Sequence, residues 1–369
     1  MSQSRKSLHR KKRKTKRLIA AGIGMFLLLY TVAWVVINQL NSTIGNTYKN
    51  IDTNDKRDGS QVMIDATQPI SFALLGLDSR NGDDEEAAVR SDAIMIGTIN
   101  PNTNQTTLVS VPRDTYALMD GYETEMGYNF YDKITHAYAF GQADMSINSL
   151  QELINIPIDY YVEVNMQGLI DIVDAMGGIE VTSPLTFDYE DNYFVEGETR
   201  TLNGTEALAF SRMRKTDPEG DFGRQKREKI VIEAIIDKAL SFDSITNYQS
   251  ILQTMEDNVK TNLTFKEITD LLARYRGALE NINKQDKLVG EELWLDDIYY
   301  FYVNPEERLK ISNVLRKELE LDEIVVEDLT LSQTDLNYLY TYYYVDDYDE
   351  TDEENNDYDD SYDGEDYNE

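Results

Sequence analysis

The chain has 369 residues and no cysteine, which excludes disulfides, thiolate metal sites and cysteine nucleophiles. Its 35 Lys and Arg against 68 Asp and Glu give a formal net charge of −33. Residues 1–51 nevertheless contain ten bases and no acid, so the rest of the chain is strongly acidic. A soluble single domain offers no reason for such a division of charge.

The first 37 residues have the pattern of a membrane anchor. Residues 1–17 hold nine Lys and Arg, and residues 18–37 form twenty positions without a charge. A helix of about 20 apolar residues crosses a bilayer core, and Trp34 without a small-residue cleavage site argues against a cleaved signal peptide. The positive-inside rule therefore predicts a cytoplasmic tail at 1–17, a transmembrane helix at 18–37 and an extracellular remainder.

Residues 38–67 are polar and lack a periodic pattern, which predicts an extracellular stalk. Three apolar runs bounded by turn residues then predict strands at Ile70–Leu77, Ala93–Ile99 and Thr107–Val111. In an antiparallel meander, the end of the first strand, the start of the second and the end of the third lie at one edge of the sheet. Asp78, Asp92 and Arg113 would meet there.

Two carboxylates beside an arginine suit a Mg²⁺ (or Mn²⁺) ion that is bound together with a phosphate, because Mg²⁺ takes oxygen ligands and shares them with substrate. The alternative interpretation is an ordinary salt bridge between an acid at a loop end and Arg80 or Arg90.

Further along, the pattern predicts alternating strands and helices. The strands are expected at Tyr160–Val164, Ile179–Thr182 and Trp294–Val303, and the helices at Met166–Met176, Gly204–Arg212, Asp221 to about Leu240, Ile251–Val259, Phe265–Ile282 and Pro305–Leu319. Residues 345–369 contain fourteen acids and no base, a composition that predicts a disordered acidic tail.

Phe210–Lys229 concentrates seven Lys and Arg within this acidic chain. A Pro- and Gly-containing turn folds it back on itself, and Asp221 is the predicted N-cap of the next helix. Unpaired N–H groups at a helix start favour an anion, and a planar guanidinium can hold phosphate with two hydrogen bonds. The alternative is a solvated helix face with local ion pairs. The candidate anion ligands are Arg212, Arg214, Arg224 and Arg227.

Several stretches, in this order, make the chain similar to the LytR-CpsA-Psr family of Gram-positive cell-envelope proteins. They are Leu75–Arg80, Arg90–Asp92, Ser110–Asp114, Lys133–Gly141, Gly168–Val181, Leu202–Leu208 and Phe210–Arg227. The resemblance implies an α+β fold with a mixed, largely antiparallel sheet flanked by helices and a long apolar cavity for a polyprenyl chain. It suggests a catalytic domain at 68–323, with 324–344 as a C-terminal extension.

The resemblance also implies a membrane-anchored extracellular phosphotransferase. Such an enzyme moves a glycopolymer (teichoic acid, capsule or a related polysaccharide) from polyprenyl pyrophosphate to the C6 hydroxyl of N-acetylmuramic acid in peptidoglycan. By motif, the metal ligands would be Asp78 and Asp92. The pyrophosphate-binding residues would be Arg90, Arg113, Arg212, Arg214, Arg224 and Arg227, with Arg90, Arg113 and Asp114 as catalytic residues. The general base stays open between His136, Asp114 and a substrate phosphate.

Two positions depart from the family pattern. Glu228 stands where Gln is common, and a carboxylate would repel pyrophosphate unless it is paired. Gln142 stands where a second Gly is common. A non-catalytic polyprenyl-phosphate-binding or scaffold protein is the first alternative, and Glu228 favours it. A transcriptional regulator is the second alternative. DNA binding needs a basic face, whereas the chain after residue 51 is strongly acidic, so no nucleic-acid partner is expected.

Overall fold

The computed structural model describes residues 48–50, 57, 62–65, 67–78, 89–241, 258–283 and 288–344. The predicted membrane span at 18–37 and the acidic tail at 345–369 lie outside these ranges. Within them, none of the helices combines the length and the hydropathy that a membrane crossing requires.

A mixed sheet forms the centre of the fold. Its strand order is β11-β6-β1-β2-β3-β12, with strands β1 (Ile70–Asp78), β2 (Arg90–Asn100), β3 (Gln105–Ser110), β6 (Tyr160–Asn165), β11 (Val259–Thr261) and β12 (Ile282–Asn283). β1, β2 and β3 are antiparallel neighbours, so the predicted meander is confirmed. β11 is antiparallel to β6, while β6 and β12 run parallel to β1 and β3.

Short hairpins and pairs complete the strands. They are β4 (Tyr116–Leu118) with β5 (Tyr131–Lys133), β7 (Ile179–Thr182) with β10 (Thr199–Leu202), β8 (Phe187–Tyr189) with β9 (Asn192–Phe194), and β13 (Glu291–Leu295) with β14 (Ile298–Tyr302). The helices are α1 (Ile134–Ile154), α2 (Met166–Ala175), α3 (Gly204–Arg212), α4 (Asp221–Leu240), α5 (Phe265–Arg274), α6 (Arg276–Leu279), α7 (Pro305–Glu318) and α8 (Gln333–Tyr344).

Alternate residues along a strand point to opposite sides of the sheet. Both faces of this sheet carry apolar side chains, and helices cover both of them. Ala73 and Leu75 of β1 share one buried cluster with apolar residues of α1 and α7. Ile70 joins a second cluster on the other face, together with residues of α5 and α6. A third cluster links α2, α3 and α4 with β7 and β10, and it fixes the two arginine-bearing helices against each other. The fold is thus α+β, as expected.

Three element predictions differ from the structure. The single strand predicted at Trp294–Val303 instead spans the end of β13, the hairpin turn and all of β14, and the turn residues Asp296 and Asp297 have φ angles of 49° and 63°. The long helix predicted from Phe265 ends at Arg274, since Tyr275 turns inward and its hydroxyl donates to the Gln68 carbonyl at 2.8 Å. Of the helix predicted at Ile251–Val259, residues 251–257 lie outside the described residues, and Val259 begins β11.

Parts of the predicted stalk and of the C-terminal extension pack onto the domain. Val62 and Ile64 are buried in the same cluster as Ile70, so the last part of the predicted stalk belongs to the folded domain. The buried side chains of Arg308 in α7 and Asp335 in α8 form an ion pair of 3.3 Å that fixes α8. The region 324–344 is therefore an ordered part of the structure.

The 21-residue helix α1 was not predicted, and it contains a break. Gly141 and Gln142 leave helical geometry, and Gln142 has φ 54° and ψ −145°. A side chain is strained in this region, which glycine occupies freely. The replacement of a common Gly by Gln142 therefore has a structural cost.

We predict that Gln142→Gly raises the free energy of unfolding by about 1 kcal/mol, because relief of strain exceeds the entropy that a new glycine adds to the unfolded chain. Urea unfolding followed by circular dichroism measures the change. The control is Lys310→Gly at an exposed position in the interior of α7, which should lower stability by about 1 kcal/mol. A loss of stability in both variants would contradict the strain at Gln142.

Candidate active site

Asp92 lies in a β-bulge at the edge of the central sheet. Gly76 faces Ala93 across β1 and β2, whereas the next residue, Leu77, faces Ser91. Asp92 is therefore the extra residue on β2. A bulge bends its strand and redirects a side chain, and it is common beside active sites.

Two arginines from distant parts of the chain meet at Asp92. The Nη1 of Arg113, just beyond β3, donates to the Asp92 carboxylate at 2.9 Å. The Nη1 of Arg224, in the first turn of α4, donates to the Asp92 backbone carbonyl at 3.2 Å. The sheet edge and the start of α4 are thus joined through one residue.

The start of α4 is built around a carboxylate. The N-cap is Gly220, with φ 57°, and Asp221 is the first helical residue, so the helix begins one residue earlier than predicted. The Asp221 carboxylate contacts Arg224 Nη2 at 2.9 Å and Arg214 Nε at 3.5 Å. Burial raises the pKa of Asp221, but Arg224 and the amide of Gln225 outweigh burial and hold the pKa below its usual value.

Glu228 is the second acid that contacts Arg224. Its Oε1 accepts from Arg224 Nη1 at 2.5 Å, and only 12% of its side chain is exposed. Burial raises the pKa of Glu228 to about 7, assisted by the negative charges of Asp221 and Asp92, although Arg224 opposes the shift. The carboxylate that was expected to repel pyrophosphate is thus paired with Arg224, and its raised pKa favours the neutral form more than in a free glutamate.

A second group of charges adjoins Arg113. Asp114 accepts from Lys133 Nζ at 2.9 Å and lies 3.8 Å from Arg113 Nε. Next to Lys133, the Asp132 carboxylate is 2.7 Å from Nδ1 of His136. Burial raises the pKa of Asp132, but the hydrogen bonds from His136 and the Lys133 amide keep it below its usual value.

The other predicted arginines occupy different environments. Arg212 is 40% exposed and lies 3.5 Å from Glu190. Arg214 is half exposed, beside Asp221. Arg90 is exposed at the start of β2, where its cross-strand neighbour is Asp78. All three have side chains that a ligand can reach, and their roles stay predictions.

Arg227 differs from the rest because only 1% of its side chain is exposed. Its Nε donates to the Phe210 carbonyl at 3.0 Å, and its guanidinium also binds Asp217 and the Met213 carbonyl. Arg227 therefore holds the turn between α3 and α4. Direct contact with pyrophosphate would require it to give up these bonds.

The predicted metal ligands lie near one end of β1 and β2. Among the described residues, no group of three or more acids or histidines could hold a metal ion by itself. Asp78 and Asp92 would thus supply two oxygen ligands, and Mg²⁺ would take the rest from substrate phosphate and water, as it commonly does. This donor set fits a metal that binds together with its substrate.

Sequence reasoning missed two residues of this site. Lys133 was noted only as the start of a motif, and Asp221 only as a helix cap. No spacing rule connects Lys133 to Asp114, since their contact depends on the pairing of β4 with β5. The charge of Asp221 among nearby arginines was the available signal.

This arrangement defines a class of protein, namely an α+β domain with a cluster of arginines, acids and a lysine suited to a phosphorylated ligand. The chain belongs to the LytR-CpsA-Psr family, whose model, LytR_cpsA_psr, matches residues 34–317.

Relatives and solved structures agree with this assignment. The chain is 41% identical over 313 residues to the polyisoprenyl-teichoic acid–peptidoglycan teichoic acid transferase TagU of Bacillus subtilis (strain 168), which covers 84% of this chain and 98% of the relative. A structure of TagT bound to LIIa-WTA aligns with a TM-score of 0.60 and 30% identity, over 73% of this chain and 97% of that one.

An Enterococcus faecalis structure described as a transcriptional regulator aligns with a TM-score of 0.64 and 40% identity, over 75% of this chain and 96% of that one. The words "transcriptional regulator" describe that Enterococcus faecalis protein.

We predict that Glu228→Gln stabilises the protein increasingly as the pH rises from about 4.5 to 7. Folding raises the pKa of Glu228 from 4.5 to about 7, so the native state binds more protons and loses stability across this interval. A glutamine at position 228 removes that loss. Above pH 7 the free energy of unfolding of the variant should therefore exceed that of the wild type by about 1–3 kcal/mol. Urea unfolding at several pH values measures it.

The matched control is Glu219→Gln, which alters an exposed acid just before α4 that is paired with Lys226. Its effect on unfolding free energy should vary little across the same pH range. A Glu228→Gln effect that is equally independent of pH would contradict the raised pKa.

Proposed function

We propose that this protein is a glycopolymer–peptidoglycan phosphotransferase that uses a polyprenyl-pyrophosphate-linked donor, with teichoic acid as the favoured glycopolymer class. The observation that carries this proposal is the meeting of Arg113 and Arg224 at Asp92. The transferase name of the 41% identical relative supports the reaction.

The site suits phosphoryl transfer because it brings together several positive groups, which can stabilise the charge that develops on a pyrophosphate. The acceptor oxygen attacks the phosphorus that carries the glycan, the bond from that phosphorus to the bridging oxygen breaks, and polyprenyl phosphate leaves. Arg113 and Arg224, with the half-exposed Arg214, would bind the pyrophosphate oxygens and stabilise their added charge. The substrate would compete with Asp92, Asp221 and Glu228 for these guanidinium groups.

We further propose that Asp78 and Asp92 hold Mg²⁺ (or Mn²⁺) together with the donor. A bound divalent ion would neutralise charge on the pyrophosphate. Arg113 would then move from the Asp92 carboxylate toward the phosphate. This exchange explains why an arginine and an acid that both serve the substrate are paired in its absence.

His136 is the favoured group for accepting the proton of the acceptor hydroxyl. Both oxygens of Asp114 face cations, Lys133 and Arg113, so both are already engaged in ion pairs. The imidazole of His136 is held through Nδ1 by Asp132, and among the described residues its Nε2 has no hydrogen-bond partner. An imidazole oriented in this way is suited to general-base catalysis.

The location of the enzyme is part of the same proposal. An anchor at residues 18–37 would place the site outside the cytoplasm, near the polyprenyl chain of its donor. The apolar cavity for that chain stays a prediction. A non-catalytic polyprenyl-phosphate binder is the second candidate, but Glu228 no longer favours it, because this acid is paired with Arg224.

The test is transfer by the full chain in detergent from a polyprenyl-pyrophosphate-linked glycan to peptidoglycan oligomers, with the phosphodiester product and polyprenyl phosphate both measured. We predict that Asp78→Asn and Asp92→Asn each lower the metal-dependent rate on the order of 10²–10³-fold, since each removes a charge that positions the metal. Asp322→Asn, an exposed acid beyond α7, is the control and should keep wild-type activity. Wild-type metal dependence in both Asn variants would remove these acids from the site.

A further inference from the structure

The hairpin of β13 and β14 carries an exposed aromatic surface. Trp294 is 60% exposed, and its cross-strand partner is Tyr299. The two ring centroids are 5.5 Å apart in an edge-to-face arrangement. Exposed aromatic rings that contact one another form a patch, and such patches often mark binding surfaces.

The same face of the hairpin leads to the arginine site. Trp294 pairs with Tyr299 and Glu292 pairs with Phe301, so alternation along the strands places these four side chains on one face. The Phe301 ring lies 5.8 Å from the ring of Phe222, which is 44% exposed. Phe222 stands between Asp221 and Gly223 in the first turn of α4, so this face is continuous with the residues that surround Arg224.

Lys133 and the site's acids also border this face. Lys133 Nζ, which binds Asp114 at 2.9 Å, is 5.9 Å from the centroid of the Tyr299 ring. Burial raises the pKa of the Tyr299 hydroxyl, and the nearby charges of Asp114, Glu292 and Asp221 raise it further. Tyr299 therefore lies beside the lysine that binds Asp114. We call Phe222, Trp294 and Tyr299 the aromatic shelf.

The chemistry of the aromatic shelf fits a sugar ring. The C–H face of a pyranose packs on the electron-rich face of an aromatic ring, and exposed aromatic side chains offer this contact at little entropic cost. The hairpin strands and turn, residues 291–302, contain four acids and no base. This charge disfavours a polyanionic teichoic acid chain and favours the uncharged hexosamine rings of an acceptor glycan.

We propose that the aromatic shelf is the acceptor subsite, on which an N-acetylhexosamine ring of the peptidoglycan strand stacks beside the arginine site. This inference rests on the proposed function, since it names where the acceptor of that reaction binds. The stacked ring would hold the neighbouring muramic acid hydroxyl near the phosphorus that it attacks.

Tryptophan fluorescence offers a direct test, because the chain has two tryptophans and Trp34 lies in the predicted membrane span. In a full-length Trp34→Phe protein, Trp294 is the only indole. Titration with a soluble peptidoglycan tetrasaccharide should produce a saturable change in its emission. No saturable change would overturn the inference, as would a change caused only by phospholipid vesicles, which would indicate a membrane contact.

Kinetics supply the second arm. Trp294→Ala and Tyr299→Ala should each raise the KM for the acceptor about tenfold, while kcat at saturating acceptor and the Kd of the donor lipid stay unchanged. Tyr340→Ala, at a similarly exposed aromatic residue of α8, is the control and should leave all three constants unaltered. An unchanged acceptor KM, or a weakened donor Kd with acceptor KM unaffected, would overturn the assignment to the acceptor.

The two arms separate this inference from the proposed function. If the wild-type chain binds the tetrasaccharide at Trp294 but transfers nothing, the proposed function fails and the sugar subsite stands. If the chain transfers normally in all shelf variants, the subsite fails and the proposed function stands.

Discussion

The site depends on one residue, Asp92, that two distant arginines share. Arg113 binds its carboxylate and Arg224 binds its carbonyl, so the edge of the sheet and the start of α4 are joined at a single point. The bulge between β1 and β2 makes this possible because it adds one residue to β2 and redirects its backbone. A regular ladder would pair Asp92 with a residue of β1 and change the face on which it lies.

Internal carboxylates hold the cationic groups in place before any substrate binds. Arg224 lies between Asp221 and Glu228, and the buried Arg227 is neutralised by Asp217. A buried guanidinium without such partners would be very costly. The arrangement keeps the arginines ordered, and it limits binding to ligands whose negative charge can replace the carboxylates, which a pyrophosphate with a divalent ion can do.

The sequence predicted the meander and the concentration of arginines, because apolar runs and charge patterns are local signals. It did not predict the bulge at Asp92, since one extra residue in a strand changes no local pattern. The burial of Arg227 was also missed, because its partner Asp217 lies across a turn and only the third core cluster makes them meet. The turn between β13 and β14 was not predicted, since its residues Asp296 and Asp297 include no glycine, which is the usual sequence signal of a two-residue turn.

The central claim is that Arg113 and Arg224 act on one pyrophosphate through their shared position at Asp92. A double-mutant cycle of Arg113→Ala and Arg224→Ala, read as the Kd of the full chain for a polyprenyl-pyrophosphate-linked glycan, tests it most directly. Each single change should weaken binding by about 1.5–3 kcal/mol, the range for charge-assisted hydrogen bonds. The double change should differ from their sum by at least about 0.5 kcal/mol, because both side chains hold the same ligand. Strict additivity, or single variants that bind like the wild type, would contradict the account.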